Sequence, residues 1–238
     1  MPAVSLRLAA ILDVLHPCRV LADIGTDHGL VPVHAVLQGI AQAALACDLR
    51  EEPLRVASKN VQRHGVDGRV RLIQGNGLLS LEGEQVDAVV IAGMSGNLME
   101  RICSEAPHVL QSVSQLVMQP NINAYVVRAW AHGAGFHLKR EVMVEEHNRL
   151  FVVCAFQRQP GPDPAYGCNA MALESLFKLG PLLLRDRSLV ALKYYQEQCR
   201  RLRGFTAFGD SGESHLAELA MFEKASELLS NWRGERWA

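Results

Sequence analysis

Acidic residues and glycines fall together early in the chain, in Asp23-Ile24-Gly25-Thr26-Asp27-His28-Gly29. The segment follows an apolar run and ends it at a glycine. A glycine turn between a strand and a helix lets a ligand approach the backbone closely. Two aspartates in such a turn repel a pyrophosphate and attract a cationic ligand. Roughly 20 residues beyond the turn, Asp48 closes a second apolar run, where an acid can hydrogen-bond both hydroxyls of a ribose. Asn76, in Gln74-Gly75-Asn76-Gly77, offers an amide that both donates to and accepts from the edge of a purine. Ala92-Gly93-Met94-Ser95-Gly96 is, Met94 apart, built of small residues, which leave room where two substrates meet. Gln119-Pro120-Asn121 places a further amide after the next apolar run. Each has a plainer reading beside it. Asp23 and Asp27 can cap local backbone, Asp48 can cap the following helix, and Asn76-Gly77 can be an ordinary turn.

Taken together these residues suit S-adenosylmethionine, whose amine and sulfonium are cationic and whose ribose and adenine need hydrogen-bonding partners. On this reading Asp23, Gly25, Asp27, Asp48, Leu49, Gly75, Asn76, Gly77, Ala92, Gly93 and Met94 bind the cofactor. The first turn lacks the G-x-G-x-x-G pattern, which speaks against a nicotinamide oxidoreductase. A titration of cofactor binding separates these two classes.

The residues reach one place only if the elements between them alternate in kind. Val4–Leu15 carries apolar positions at helical spacing. Arg19–Gly25 reads as a buried strand, Val31–Leu37 as a helix with Pro32 in its first turn, and Ala43–Leu49 as a second strand. Glu51–His64 is an amphipathic helix, Arg69–Gln74 a third strand and Val86–Ile91 a fourth, wholly apolar one. Asn97–Leu110 is mostly helical and interrupted at Pro107. Gln115–Met118 is a fifth strand stopped by Pro120, and Ile122–His132 is a helix. Phe136–Val144 and Arg149–Phe156 form a closing antiparallel pair. Strands alternating with helices imply parallel βαβ units. The expected fold is an α/β, doubly wound sheet with an antiparallel edge hairpin. Every one of the first five strands then delivers glycine, proline or a polar group at its C-terminal end, where open α/β sheets bind ligands.

Gln157–Gly167, rich in proline and glycine, reads as a boundary. It divides the chain into a sheet domain, 1–160, and a helical, coiled-coil-like domain, 161–238. In the latter, Pro181–Arg203 reads as one long helix, Gly204–Gly212 as a turn and Glu213–Trp232 as a second helix, with Leu216, Leu219, Phe222, Ala225 and Leu229 on one face. The pair makes an antiparallel hairpin.

The 238 residues carry a formal charge of -1, with 49% hydrophobic and 21% charged residues. That is ordinary for a globular protein and gives no global basic signal for nucleic acid. The cysteines, Cys18, Cys47, Cys103, Cys154, Cys168 and Cys199, form no CxxC pair and no zinc-site spacing. They read as structural thiols, and no metal is expected. No stretch approaches the roughly 20 apolar residues of a membrane span, and Met1–Leu15 lacks a signal-peptide pattern, so a cytoplasmic location is expected.

The motifs Asp23-Ile24-Gly25-Thr26-Asp27-His28, Gln74-Gly75-Asn76-Gly77, Ile91-Ala92-Gly93-Met94-Ser95-Gly96 and Gln119-Pro120-Asn121-Ile122 resemble those of the bacterial tRNA (adenine-N1)-methyltransferases that modify the adenine at position 22. The similarity continues through Arg128-Ala129-Trp130, Glu145-Glu146 and Gly180-Pro181. It implies a Rossmann-like class I methyltransferase sheet with a helical C-terminal domain, and methyl transfer from S-adenosylmethionine to N1 of an adenine in tRNA. Where the family usually has a glycine this chain has Ser95, where it usually has aspartate it has Asn76, and where it often has glutamate it has Asp48. Adenine N1 needs no base before attack, so the expected catalytic residues orient the base. They are Asp27, facing the exocyclic amine, His28 in the same pocket, and Asn121. Arg185, Arg187, Lys193, Arg200, Arg201 and Arg203 form a basic surplus suited to tRNA phosphates, although a solvated helix face reads equally well from the sequence. Glu213, Glu218 and Glu223 on the next helix are possible partners for it. Other acceptors (rRNA, a protein, a small molecule) would leave the cofactor half of the reading intact. A non-catalytic RNA-binding protein is the third reading, and Ser95 keeps it open.

Overall fold

The computed structural model describes residues 4–167, 171–207 and 212–231. Seven strands, β1 (Cys18–Ile24), β2 (Ala41–Asp48), β3 (Val70–Gln74), β4 (Ala88–Ser95), β5 (Gln115–Ile122), β6 (Phe136–Glu146) and β7 (Arg149–Arg158), form one sheet in the order β3-β2-β1-β4-β5-β7-β6. The first five are parallel, and β7 runs antiparallel to both β5 and β6. This is the expected doubly wound α/β sheet with an antiparallel edge hairpin.

The central strands are buried on both faces, so side chains of alternate parity enter two separate cores. Ala22, Ile24, Val89, Ile91, Leu116 and Met118 enter one. Leu21, Ala88, Val90 and Val117 enter the other. The second core is covered by α1 (Leu6–Asp13), α2 (Leu30–Leu37) and α3 (Glu51–Arg63). The first is covered by α4 (Gly96–Glu105) and α5 (Ala124–Gly133), and then by the C-terminal helices α6 (Leu173–Leu179), α7 (Pro181–Arg185), α8 (Leu189–Ala207) and α9 (Glu213–Ser230). Leu179, Leu182, Leu183, Tyr195 and Phe222 belong to the same continuous core as the strands.

A buried ion pair fastens this second group of helices. Arg128 Nε donates to Glu141 Oε1 at 2.6 Å, with side-chain exposures of 2% and 0%. Arg128 Nη1 donates to the carbonyl of Phe177 at the end of α6, and the backbone N–H of Leu182 in α7 donates to Glu141 Oε2. Charges taken out of water this fully are tolerable only with their remaining hydrogen bonds satisfied.

Several elements differ from the sequence expectation. Strand β5 does not stop at Pro120 but continues to Ile122. The β4–β5 register shifts between Ala92 and Met94 and again between Met94 and Ser95, so the ladder does not need the missing proline N–H there. The expected single helix from Pro181 to Arg203 is broken. α7 ends at Arg185, Arg187 takes φ 53°, and Ser188 Oγ accepts from Ala191 N to start α8. Leu182 and Leu183 are buried in the same core as the strands, while the Tyr195 ring meets Phe222 of α9 and its hydroxyl donates to the Leu179 carbonyl at the end of α6. α8 also runs through Gly204 instead of turning there. Burial of Cys199 and Leu202 outweighs the roughly 1 kcal/mol that a helical glycine costs. Positions 208–211 of the expected turn, together with Cys168 and Trp232, lie outside the described residues. The other five cysteines are free thiols, four of them buried. Among the described residues no helix is long and apolar enough to cross a membrane, and no group of His, Cys, Asp or Glu is arranged to hold a metal ion.

Candidate active site

Strand order reverses between β1 and β4, and the crevice beyond the carboxyl ends of strands at such a switch point is where α/β sheets take ligands. A cavity of about 470 Å³ opens there. Its walls include Asp23 and Gly25 from the end of β1, Asp27 and His28 from the following turn, and Asp48 from the end of β2. Ala92, Gly93 and Met94 come from β4, and Asn121 from β5. Four strands thus bring nine of the residues singled out in the sequence to one cavity.

The β1 turn is held open by the neighbouring strand. The N–H groups of both Gly25 and Thr26 donate to the carbonyl of Cys47. Gly25 has φ 76°, a left-handed conformation that side chains rarely adopt, and a Cβ on it would sit 2.0 Å from Met94 Cε, so the flexible end of Met94 would also have to move. Asp23 is 5% exposed. Burial pushes its carboxyl up to about 6, and the nearby charge of Asp48 adds to the effect. A carboxylate in that state is short of a positive partner. Asp48 Oδ1 accepts from the backbone N–H of Arg50 at 2.8 Å, and its other oxygen makes no hydrogen bond among the described residues. Asp27 and His28 stand at the exposed mouth, with Oδ2 and Nε2 3.1 Å apart.

Opposite them lies a network of amides. Gly93 N–H donates to Gln119 Oε1 at 3.2 Å, Gln119 Nε2 donates to Asn121 Oδ1 at 3.3 Å, and Asn121 Nδ2 donates to the Gly93 carbonyl at 2.7 Å. The C-terminal end of β4 and the side chain of Asn121 are therefore fixed by one buried glutamine.

Leu49, Gly75, Asn76 and Gly77 are not in the cavity wall. The structure places them beside it, with Gly75 N–H donating to the carbonyl of Asp48. Leu49 and Asn76 are exposed. Ser95 is committed locally, its Oγ accepting from Leu98 N as the N-cap of α4. Sequence reasoning missed Ser5, Arg7, Leu8 and Ile11, which bring α1 to the cavity wall, and also Thr26, Leu30, Val31, Arg50 and Gln119. Gln119 was visible as the residue before Pro120. Nothing in the local sequence marks α1 as a cavity wall.

The basic residues of the C-terminal segment are largely occupied. Lys193 pairs with Glu145, Arg185 with Asp186 and Arg203 with Glu223, and Arg187 also has a partner. Arg200 and Arg201 are exposed on α8.

The donor set can be tested against the cofactor. Three carboxylates face one cavity, a glycine turn that a Cβ would fill lets a ligand lie on the backbone, and an acid closes β2 at the ribose position. The residues fit S-adenosylmethionine. The model of a methyltransferase-domain family matches residues 4–154. The tRNA (adenine(22)-N(1))-methyltransferase of Bacillus subtilis is 30% identical over 194 residues, covering 82% of this chain and 80% of that protein. The solved structure of the Bacillus subtilis tRNA methyltransferase TrmK superposes with a TM-score of 0.79 at 27% identity, covering 97% of this chain and 98% of that one. A Streptococcus pneumoniae protein solved in complex with S-adenosyl-L-methionine superposes with a TM-score of 0.83 at 25% identity, covering 94% of this chain and all of that one. In sheet order, in the cavity at the switch point and in likeness along most of its length, the chain belongs to the tRNA (adenine(22)-N(1))-methyltransferase family.

Proposed function

We propose that the chain uses this cavity to bind S-adenosylmethionine and methylate N1 of adenine 22 in tRNA, with the roles of individual residues as follows. The supporting observation is the convergence of Asp23, Asp27 and Asp48 on one cavity beside the Gly25 turn. Asp23 meets the cationic end of the cofactor, and ionises fully when it does. Asp48 holds the ribose hydroxyls. Gly25, Ala92, Gly93 and Met94 give close backbone and apolar contact, while Leu49, Gly75, Asn76 and Gly77 border the adenine end. When bound, S-adenosylmethionine supplies a methyl group activated by its sulfonium.

The target nitrogen carries its own lone pair, so the chain's work is orientation and exclusion of water. Asn121, locked by Gln119 and the Gly93 carbonyl, presents its amide to the base. Asp27 at the mouth faces the exocyclic amine and balances the positive charge that develops on the ring. His28, 3.1 Å from Asp27, steers that carboxylate. An adenine paired or stacked within folded tRNA has to be extruded to reach them. Arg200 and Arg201 are the α8 residues left to meet phosphates.

Incubation with radiolabelled S-adenosylmethionine and unmodified tRNA transcripts, with Asp48→Ala as control, tests this reading. Labelled 1-methyladenosine that disappears in the control is expected, and mapping by primer extension places it. Cofactor binding without label in tRNA overturns the tRNA assignment.

A further inference from the structure

The ends of β4 and β5 carry the chain past the cavity wall into an uncharged surface patch. Ser95 and Ile122 are register partners in the two strands. Asn97 follows Ser95 by two residues, and Asn123 follows Asn121, a residue of the cavity wall, by two. Asn123 Nδ2 donates to Asn97 Oδ1 at 2.6 Å on the exposed surface. The backbone beneath this pair is fixed. Asn123 takes φ 58°, a left-handed conformation uncommon outside glycine. Gly96 packs so closely that a Cβ on it would lie 2.1 Å from the Asn123 carbonyl oxygen. An asparagine ahead of a helix ordinarily caps it, yet the Asn123 side chain makes no capping bond to α5. Joined to each other, the two amides keep a free donor, Asn97 Nδ2, and a free acceptor, Asn123 Oδ1, among the described residues. Apolar surface lies in the same segment, where Ile122 is 61% exposed and Tyr125 44%. Neither 95–99 nor 121–127 contains a charged residue.

We infer that Asn97, Ile122, Asn123 and Tyr125 form a second nucleobase subsite, which holds a nucleotide flanking the methylated adenine. The inference rests on the tRNA reading above and adds a contact to it. A nucleobase offers an apolar face and an edge of donors and acceptors. The exposed aromatic and aliphatic side chains suit the face. The free donor and acceptor of the amide pair suit the edge. A phosphate finds no cation in this patch. The patch runs on from the cavity through Asn121, so the nucleotide next to an adenine held in the cavity is the part of the substrate that reaches it. Extruding the target from a stack bares the faces of its neighbours, and a platform that covers one of them offsets part of that cost.

The full-length protein is assayed for methyl transfer to an intact tRNA transcript and to two transcripts that lack the base immediately before or immediately after the target adenine. Label in the intact transcript with the wild type tests the reading on which the inference rests, and its absence despite cofactor binding sinks both. Tyr125→Ala should lower kcat/KM for intact tRNA by about 10- to 100-fold, the scale of one lost base–aromatic stack. Tyr125→Phe keeps the stack and should stay near the wild type. Asn123→Gly removes the amide while suiting the left-handed backbone, so it should lower kcat/KM by about 5- to 10-fold with no fall in melting temperature. All three variants should bind S-adenosylmethionine calorimetrically as the wild type does. One of the two base-free transcripts should cost the wild type a comparable factor and cost Tyr125→Ala and Asn123→Gly nothing more, because the contact is already gone. Wild-type kcat/KM in both of these variants overturns the inference. So does a loss that is equally large on all three transcripts, which shows that the patch meets something other than a flanking base.

Discussion

Asp23→Asn separates the cost of the site from its use. The Asp23 carboxyl is moved from its ordinary value of 3.8 to about 6, chiefly by burial. At about 1.4 kcal/mol per pH unit, its ionisation costs the ligand-free fold about 3 kcal/mol at neutral pH. The sign follows from the direction of the shift. A carboxyl whose pKa is raised by folding favours the folded state below its unfolded value, and that contribution is lost as the pH rises through about 6. The ligand-free wild type should therefore lose stability between pH 4 and pH 6, relative to a variant that cannot ionise there. Asp23→Asn should match the wild type near pH 4 and exceed it by up to about 3 kcal/mol at pH 7, or roughly 6–12 °C in melting temperature for a chain of this size. The same variant should bind S-adenosylmethionine about 10- to 100-fold more weakly, having lost a charged partner. Wild-type affinity should rise from pH 5 to pH 7 as Asp23 ionises, while that of the variant stays flat. Melting curves and calorimetric titrations across this pH range measure both effects. A variant that melts at or below the wild type at pH 7, or whose difference from it does not change with pH, refutes the reasoning.

Other substitutions probe separate features. Arg128→Met leaves Glu141 buried and uncompensated and should cost about 3–5 kcal/mol in urea unfolding, with Arg128→Met/Glu141→Leu recovering most of the loss. Gly96→Ala would put a Cβ 2.1 Å from the Asn123 carbonyl; forcing α4 and α5 apart should lower the melting temperature and slow methyl transfer together. Gln119→Leu frees both Asn121 and the Gly93 N–H, so kcat should fall by about 10- to 100-fold with a smaller change in the cofactor's KM, the pattern of lost orientation.

The order of elements and the convergence of strand ends were legible because both rest on local signals. Apolar runs such as Val86–Ile91 announce buried parallel strands, and Gly25 marks where the first of them stops. What escaped depends on contacts between distant segments. Pro120 ends a strand by every local rule, and is carried inside β5 only because its neighbour β4 bulges. Pro181–Arg203 reads as one helix, and breaks where Arg187 turns left-handed and Ser188 caps a new helix so that Leu182 and Tyr195 can both reach one core. Arg7 belongs to an ordinary amphipathic helix, and becomes part of the cavity only once α1 packs on a hairpin more than 120 residues away. Part of the basic surplus of α8 was neutralised by acids the sequence had already offered, Glu223 among them.

The Arg128–Glu141 pair also constrains how such a chain can change over generations. Loss of either charge alone strands the other in the core and loosens α6 and α7, so any single step away passes through a crippled intermediate. Replacement of both together by apolar residues is tolerable. Substitutions at these two positions should therefore arise in concert, and the C-terminal helices should diverge fastest where they face solvent and slowest where they meet this pair.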